Sequence, residues 1–214
     1  MDYPTAFRTL EALMEFDDAP RVVRFGRWLF RHRSLKCIFL LPVLTFYGEL
    51  ENCAYCWPVG LVLLILGGGL RLWSISFIGR SARTRKDKAK KLITSGPFAL
   101  CRNPIYLGNV VATCGFVVLT QVLWYVPLFL VLSFAFYAPV VRYEEYLLKN
   151  KYPGVFDKYA SQTPRWFPRL NPSALAKPVH GLKEIAYREK SFFRTVTAGL
   201  LVVLAEEGIS YLYF

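Results

Sequence analysis

Two stretches of this chain exclude charge almost completely, and they limit what it can fold into. Positions 55–79 carry a single charged residue, Arg71, and positions 104–141 carry none. A helix needs about 20 predominantly apolar residues to cross a bilayer. The first stretch is long enough for one crossing. The second divides at Gln121 into runs 104–120 and 122–141, which read as a tight helical hairpin. Two weaker runs flank these: 35–50 is short and holds Lys36 and Pro42, while 192–214 is interrupted by Arg194, Glu206 and Glu207. The pattern predicts an all-α polytopic membrane protein with about four to five transmembrane helices and a C-terminal interfacial helical segment.

Charge placement gives an orientation. The chain of 214 residues is 54% hydrophobic yet carries a net charge of +12, so apolar and basic residues are segregated along it. Arg21, Arg24, Arg27, Arg31, Arg33 and Lys36 precede or open the first run. Arg80, Arg83, Arg85, Lys86, Lys88, Lys90, Lys91 and Arg102 separate the second from the third, and Arg142, Lys149, Lys151 and Lys158 follow the fourth. The intervening turns hold Glu49 and Glu51 or no charge at all. Basic loops alternating with non-basic ones follow the positive-inside rule, placing the N-terminus, the 80–103 loop and the region after Val141 in the cytoplasm. The basic loops would face anionic lipid headgroups. Nucleic acid is not expected as a partner, because no binding module accompanies the charge. The N-terminal segment carries acids and no apolar core, so it does not read as a signal peptide.

Several features have plain structural readings. Gly67, Gly68 and Gly69 lie inside an apolar run, where small residues let neighbouring helices approach closely; a phosphate-binding loop would need a preceding strand. Cys53 and Cys56 form a C-x-x-C in the predicted external turn, compatible with a disulfide or with two thiols, and no second pair or histidine cluster completes a metal site. Cys101 and Cys114 are expected only to pack. His32 and His180 read as solvated surface residues. Trp28, Trp57, Trp73, Trp124 and Trp166 suit interfacial anchoring. Arg71 either snorkels to the interface or reaches a site from within its span.

Two clusters fall on the same predicted side. Arg102, Asn103, Pro104 and Tyr106 open the third run, with Asn103 as N-cap and Pro104 at the first helical position. Arg142, Tyr143, Glu144 and Glu145 close the fourth. A hairpin returns the chain to its starting face, so the clusters should be neighbours. The helix N-terminus and Arg102 favour an anionic group, and the two glutamates a cationic or N–H-bearing one. In the plainer alternative, the arginines anchor helix ends to lipid phosphates and the glutamates pair with Arg142 or Lys149. Downstream, 146–159 reads as a short amphipathic helix, a Pro-Gly turn and another helical turn, able to lie in the interface or close over the clusters.

GPFALCRNPIYLGN followed, after an apolar hairpin, by RYEEYLLKNKYPGVFDKY resembles the integral-membrane methyltransferase superfamily of isoprenylcysteine carboxyl methyltransferases and phospholipid N-methyltransferases. The family pattern is Gly-Pro-Tyr…Arg-His-Pro-x-Tyr-x-Gly, then Arg-x-x-x-Glu-x-x-Leu…Gly-x-x-Tyr-x-x-Tyr, and the resemblance covers 67–169. It implies S-adenosylmethionine as cofactor, with Arg102, Asn103, Pro104, Tyr106 and Gly108 lining one side of it. Glu144, Glu145, Leu148 and Tyr159 would line the other, with Arg142 near the reacting groups. Catalytic roles then fall to Arg102, Arg142, Glu144 and Glu145. Asn103 stands where the family usually has histidine, and asparagine cannot titrate near neutral pH.

The implied reaction is methyl transfer to a lipid or prenylated acceptor, by O-methylation of a carboxylate that an arginine orients, or N-methylation of an amine that a glutamate deprotonates. The implied organisation is a basic cytoplasmic segment 1–34, a methyltransferase-like membrane domain 35–169, and an extension 170–214 carrying the candidate fifth membrane helix. The setting would be a bacterial inner membrane or endoplasmic-reticulum-type membrane, with the active site facing the cytoplasm. Two alternatives compete. An NADPH-dependent membrane sterol or lipid reductase has a similar Arg-x-x-x-Tyr-x-Gly but typically an Arg-Asp pair and Cys-x-x-Lys-Tyr-Gly where this chain has Arg142-Tyr-Glu-Glu145 and Lys149-Asn-Lys-Tyr. A non-catalytic scaffold would bind anionic lipid through its loops.

Overall fold

The computed structural model describes residues 18–32, 35, 38, 39, 42, 53–78, 92–178, 181, 185 and 189–213. Its helices are α1 (Arg21–Arg31), α2 (Cys56–Phe77), α3 (Pro97–Leu100), α4 (Pro104–Leu119), α5 (Tyr125–Lys151), α6 (Val155–Gln162) and α7 (Lys190–Tyr213), with a 3-10 turn at Pro172–Leu175. Among the described residues there is no strand. Of these helices, α2 and α5 are long and apolar enough to cross a membrane, while α4 and the 192–205 part of α7 are apolar but shorter.

Glycine brings α2 and α4 together. Gly60 and Gly67 are two turns apart on one helix, Gly108 and Gly115 two turns apart on the other, so each pair shares a face. The helices run antiparallel with Gly60 opposite Gly115 and Gly67 opposite Gly108. A methyl on Gly115 would lie 2.7 Å from the Gly60 carbonyl oxygen, and one on Gly108 2.7 Å from that of Gly67. Only glycine permits this backbone-to-backbone contact. Of the three consecutive glycines, Gly67 makes it, Gly68 faces the Phe192 ring, and Gly69 faces open space.

The hairpin expected at Gln121 is present, with that residue at φ 63° in the turn between α4 and α5. The expected helix end at Val141 is not: α5 continues to Lys151. Arg142, Glu144 and Glu145 end the apolar run but break no backbone hydrogen bond. The helix absorbs Pro139 in its interior, and it stops only at Pro153 and Gly154, the latter at φ 72°. At 1.5 Å per residue α5 is about 40 Å long, so it can cross a bilayer and carry its last turns beyond the hydrocarbon.

The basic segment before the first run, expected only as a cytoplasmic tail, forms the helix α1. Val23, Gly26, Leu29 and Phe30 are buried, whereas Arg21, Arg24 and Arg31 are exposed. Gly26 touches the Pro139 carbonyl, and the Phe30 ring lies 5.6 Å from that of Tyr143, so α1 packs on the C-terminal half of α5. Most of the expected first span, 35–50, lies outside the described residues, as do the basic loop 80–91 and His180. Leu35 and Phe39 pack on the α5 core, and Tyr125 donates to the Phe39 carbonyl at 2.8 Å. The fifth run is helical within α7, whose Gly199 meets the Phe116 ring of α4.

The α2–α4–α5 array therefore has two ends. One holds the Cys53–Cys56 disulfide and the 120–124 turn, without lysine or arginine. The other holds the start of α4, the end of α5 and the segments 92–103 and 152–170.

Candidate functional site

At that second end, Gly96 at φ 64° turns the chain into α3, and residues 101–103 lead it into α4. A strap, 163–173, runs beside this connection. The Gly96 N–H donates to the Ser173 carbonyl at 3.0 Å, Arg169 N–H to Leu100 at 2.9 Å, and Arg102 N–H to Pro164 at 2.8 Å. Pro164 and Pro168 keep the strap from being helical. Its Trp166 meets Phe134 of α5 edge-on, ring centroids 5.4 Å apart.

Asn103 occupies the N-cap position of α4, as its sequence predicts, but its side chain caps nothing there. Instead Nδ2 donates to the Arg165 carbonyl at 3.1 Å. That bond holds the strap where Arg165 reaches Glu145. Arg165 Nη2 lies 2.7 Å from Glu145 Oε2, with Nε 3.1 Å from each carboxylate oxygen. Arg102 Nη1 approaches Oε1 of the same glutamate at 3.2 Å. Glu144, one residue earlier, accepts a 2.7 Å hydrogen bond from the Tyr106 hydroxyl. Both glutamates are buried, 4% and 9% exposed, so their ordering depends on these partners. Lys149 pairs with Asp157 instead, at 3.0 Å on the surface.

The Glu145 carboxylate raises the already high pKa of the Arg165 guanidinium further, ahead of an opposing effect of burial. Burial pushes the Tyr159 phenol up, keeping it a donor, and it donates to the Phe98 carbonyl at 2.7 Å. Burial likewise pushes the Cys101 thiol up to about 11, a backbone hydrogen bond from Asn103 opposing it.

Of the residues singled out in sequence, Arg102, Asn103, Tyr106, Glu144 and Glu145 meet in one cluster, with Pro104 buried at its edge. Gly108 turns the other way, onto Gly67 and Arg71. Leu148 and Tyr159 pack next door, in an apolar group with Leu92, Tyr152 and Phe156. Arg142 is exposed on α5. Sequence reasoning missed Arg165. Its signal was an arginine between two prolines, which fix a non-helical strap, just after the helix that follows the glutamates.

This cluster can present opposite charges to one ligand. The Arg102 Nε is buried and finds no acceptor among the described residues, next to the free N–H groups expected at the start of α4. Glu144 supplies a buried carboxylate acceptor on α5, tied to Tyr106 of α4.

Membrane-length helices carrying a buried arginine–carboxylate–phenol cluster define the class: a helical membrane protein with a buried polar cluster at one end of its long helices. The phospholipid methyltransferase family matches residues 56–154. The chain is 36% identical over 154 residues to the cobalt-zinc-cadmium resistance protein CzcN of Cupriavidus metallidurans, covering 67% of each. It is 32% identical over 152 residues to the nickel-cobalt-cadmium resistance protein NccN of Alcaligenes xylosoxydans xylosoxydans, covering 69% of this chain and 66% of that one. It is 30% identical over 136 residues to protein-S-isoprenylcysteine O-methyltransferase B of Arabidopsis thaliana, covering 60% of this chain and 67% of that one. The chain thus spans about two thirds of the length of these relatives, and no solved structure matches it. The chain belongs to the isoprenylcysteine and phospholipid methyltransferase-like membrane family.

Proposed function

We propose that this protein is an S-adenosylmethionine-dependent methyltransferase acting on a lipid or prenylated acceptor at the membrane surface. The observation that carries this reading is the cluster itself: Glu144 and Glu145 at the end of one membrane-length helix, set against Arg102 and Tyr106 at the start of its hairpin partner.

The residues present fit the cofactor. Arg102, with an unfilled Nε, and the N-terminus of α4 would hold its carboxylate. Glu144 and Glu145 would hold its ammonium or adenine amino group. Asn103, Pro104, Tyr106, Leu148 and Tyr159 would shape the surroundings, and Gly108 would act by letting α2 lie close behind. When bound, S-adenosylmethionine supplies a methyl group already activated on a sulfonium. The chain's own task is then to align the acceptor and exclude water, effects that can together be worth many kcal/mol. The strap contributes by tying Arg165 and Asn103 over the cluster.

In this reading 35–169 is the catalytic unit and the chain crosses the membrane four or five times, through the 35–50 run, α2, α4, α5 and, in the larger count, α7. The site end faces the cytoplasm of a bacterial inner or endoplasmic-reticulum-type membrane, with Arg21, Arg24 and Arg31 toward anionic headgroups. The disulfide at the opposite end suits an oxidising compartment.

The test is transfer of labelled methyl from S-adenosylmethionine into extracted host lipids by the purified protein, followed by mild alkali. Label released as methanol means an ester, and label that stays with the lipid means N-methylation. No transfer together with no cofactor binding overturns the proposal.

A further inference from the structure

A second polar group lies one helical turn deeper than the cluster. Arg71, in the apolar part of α2, does not snorkel to the surface. Its Nε and Nη2 donate to Glu189 Oε2 at 2.9 and 2.8 Å, its Nη1 to Asn109 Oδ1 at 2.5 Å, and its guanidinium lies 5.2 Å from the centre of the Phe192 ring. Asn109 belongs to a stripe on α4. Tyr106, Asn109 and Thr113 recur at spacings of three and four, within about 60° of arc around the helix, and Arg102 lies just before its first turn. All four are half-buried. On one side of the stripe Phe116 packs against α7, and on the other Val110 and Val117 join the core with α5. A polar track thus descends along α4 from the methyl-transfer cluster, and Arg71 stands beside it.

We propose that Arg71 is the residue that selects the acceptor, by binding an anionic carboxylate on an otherwise apolar molecule. Glu189 is the internal counter-ion that this carboxylate replaces. This rests on the methyltransferase reading above and narrows it to O-methylation. Among the described arginines near this end, Arg102 and Arg165 both hold Glu145, with the remaining Arg102 nitrogen assigned above to the cofactor, and Arg142 and Arg169 are exposed. Glu189 engages Arg71 through a single oxygen, whereas a guanidinium fork is best filled by two. It sits just before the first residue of α7 and is 9% exposed, so a displaced carboxylate would have to swing outward from the helix start. A carboxylate oxygen of the acceptor then forms the new bond to the methyl carbon. The carbon–sulfur bond of the sulfonium donor breaks, its electron pair passes to sulfur, and no proton is released. No general base is required.

The test uses the full chain in detergent and two probes, N-acetyl-S-farnesylcysteine and its carboxamide. Thermal stabilisation, binding and methyl transfer are measured, with S-adenosylmethionine binding followed separately. The carboxylate probe should bind wild type more tightly than the carboxamide. Arg71→Gln should weaken its binding on the order of tenfold to a hundredfold and leave cofactor affinity unchanged. Arg71→Lys should lie between. Glu189→Gln should melt lower than wild type but gain more stabilisation from the carboxylate probe, with a lower KM. Equal binding of the two probes in wild type and Glu189→Gln would make the pair a structural clamp and overturn the proposal. So would bound cofactor with neither probe binding, which leaves the methyltransferase reading intact. Arg71-dependent carboxylate binding without cofactor binding would support the anion site and defeat the methyltransferase reading instead.

Discussion

Adjacent glutamates on one helix have different environments here, and the difference is chemical. Glu145 is held by two guanidiniums, while Glu144 accepts from the neutral Tyr106 phenol. Glu145 is thus a fixed charge that aligns Arg102 and Arg165. Asn103 supports it indirectly, since its amide holds the strap at the Arg165 carbonyl. An imidazole N–H could make the same bond, so the family histidine and this asparagine can share a role as donors. We predict that Asn103→Ala lowers methyl transfer on the order of 10²-fold and exposes the strap to proteolysis. Asn103→His should recover both, and a steady-state assay beside limited digestion checks it. Cys101 gives a second prediction. It is 1% exposed, and its thiol, pushed up to about 11 by burial, stays protonated below that pH. Native protein should leave Cys101 unlabelled by N-ethylmaleimide at pH 8, whereas denatured protein, titrating near its ordinary 9.0, should label.

Contacts between helices depend on where side chains are absent. Gly67 abuts the Ala112 backbone, so even a methyl there must push α2 and α4 apart, while Gly69, two residues on, faces open space. Gly67→Ala should therefore destabilise the protein by about 1–3 kcal/mol, seen as a lower melting temperature in detergent. Gly69→Ala should be neutral or gain up to about 1 kcal/mol. Sequence alone distinguished helices from strands, located the hairpin and placed the two clusters side by side, because long uncharged runs and breakers dominate those choices. It divided α5 wrongly, because hydropathy changes at Arg142 while the helical backbone does not. It passed over α1, whose Val23–Gly26–Leu29–Phe30 face is short and interleaved with arginines. Arg165 and Glu189 were beyond its reach as partners, because both act across long sequence separations fixed only by packing.

Charge, redox chemistry and helix direction all support the proposed orientation, with the cluster end on the cytoplasmic side. Arg21, Arg24, Arg31, Lys149, Lys151 and Lys158 lie at or near the end that carries the cluster, and the turn 120–124 at the other end has no basic residue. Positive residues hold their loops on the cytoplasmic side, and a disulfide persists on the oxidising one. α2 starts at the disulfide and runs toward the cluster, α4 returns, and α5 repeats the direction of α2. The topology proposed above satisfies all three constraints, and it would put the buried arginine–glutamate cluster where a cytosolic cofactor and a leaflet-borne acceptor can both arrive. It also requires Cys53 and Cys56 to face opposite Lys158, which is exposed on α6. In sealed right-side-out membranes, mild reduction should make Cys53 and Cys56 reactive to an impermeant maleimide, while a Lys158→Cys variant should label only after permeabilisation. The reverse pattern would place the cluster outside the cell or in the lumen, away from the cytosolic cofactor pool, and the proposed activity would lose its methyl donor.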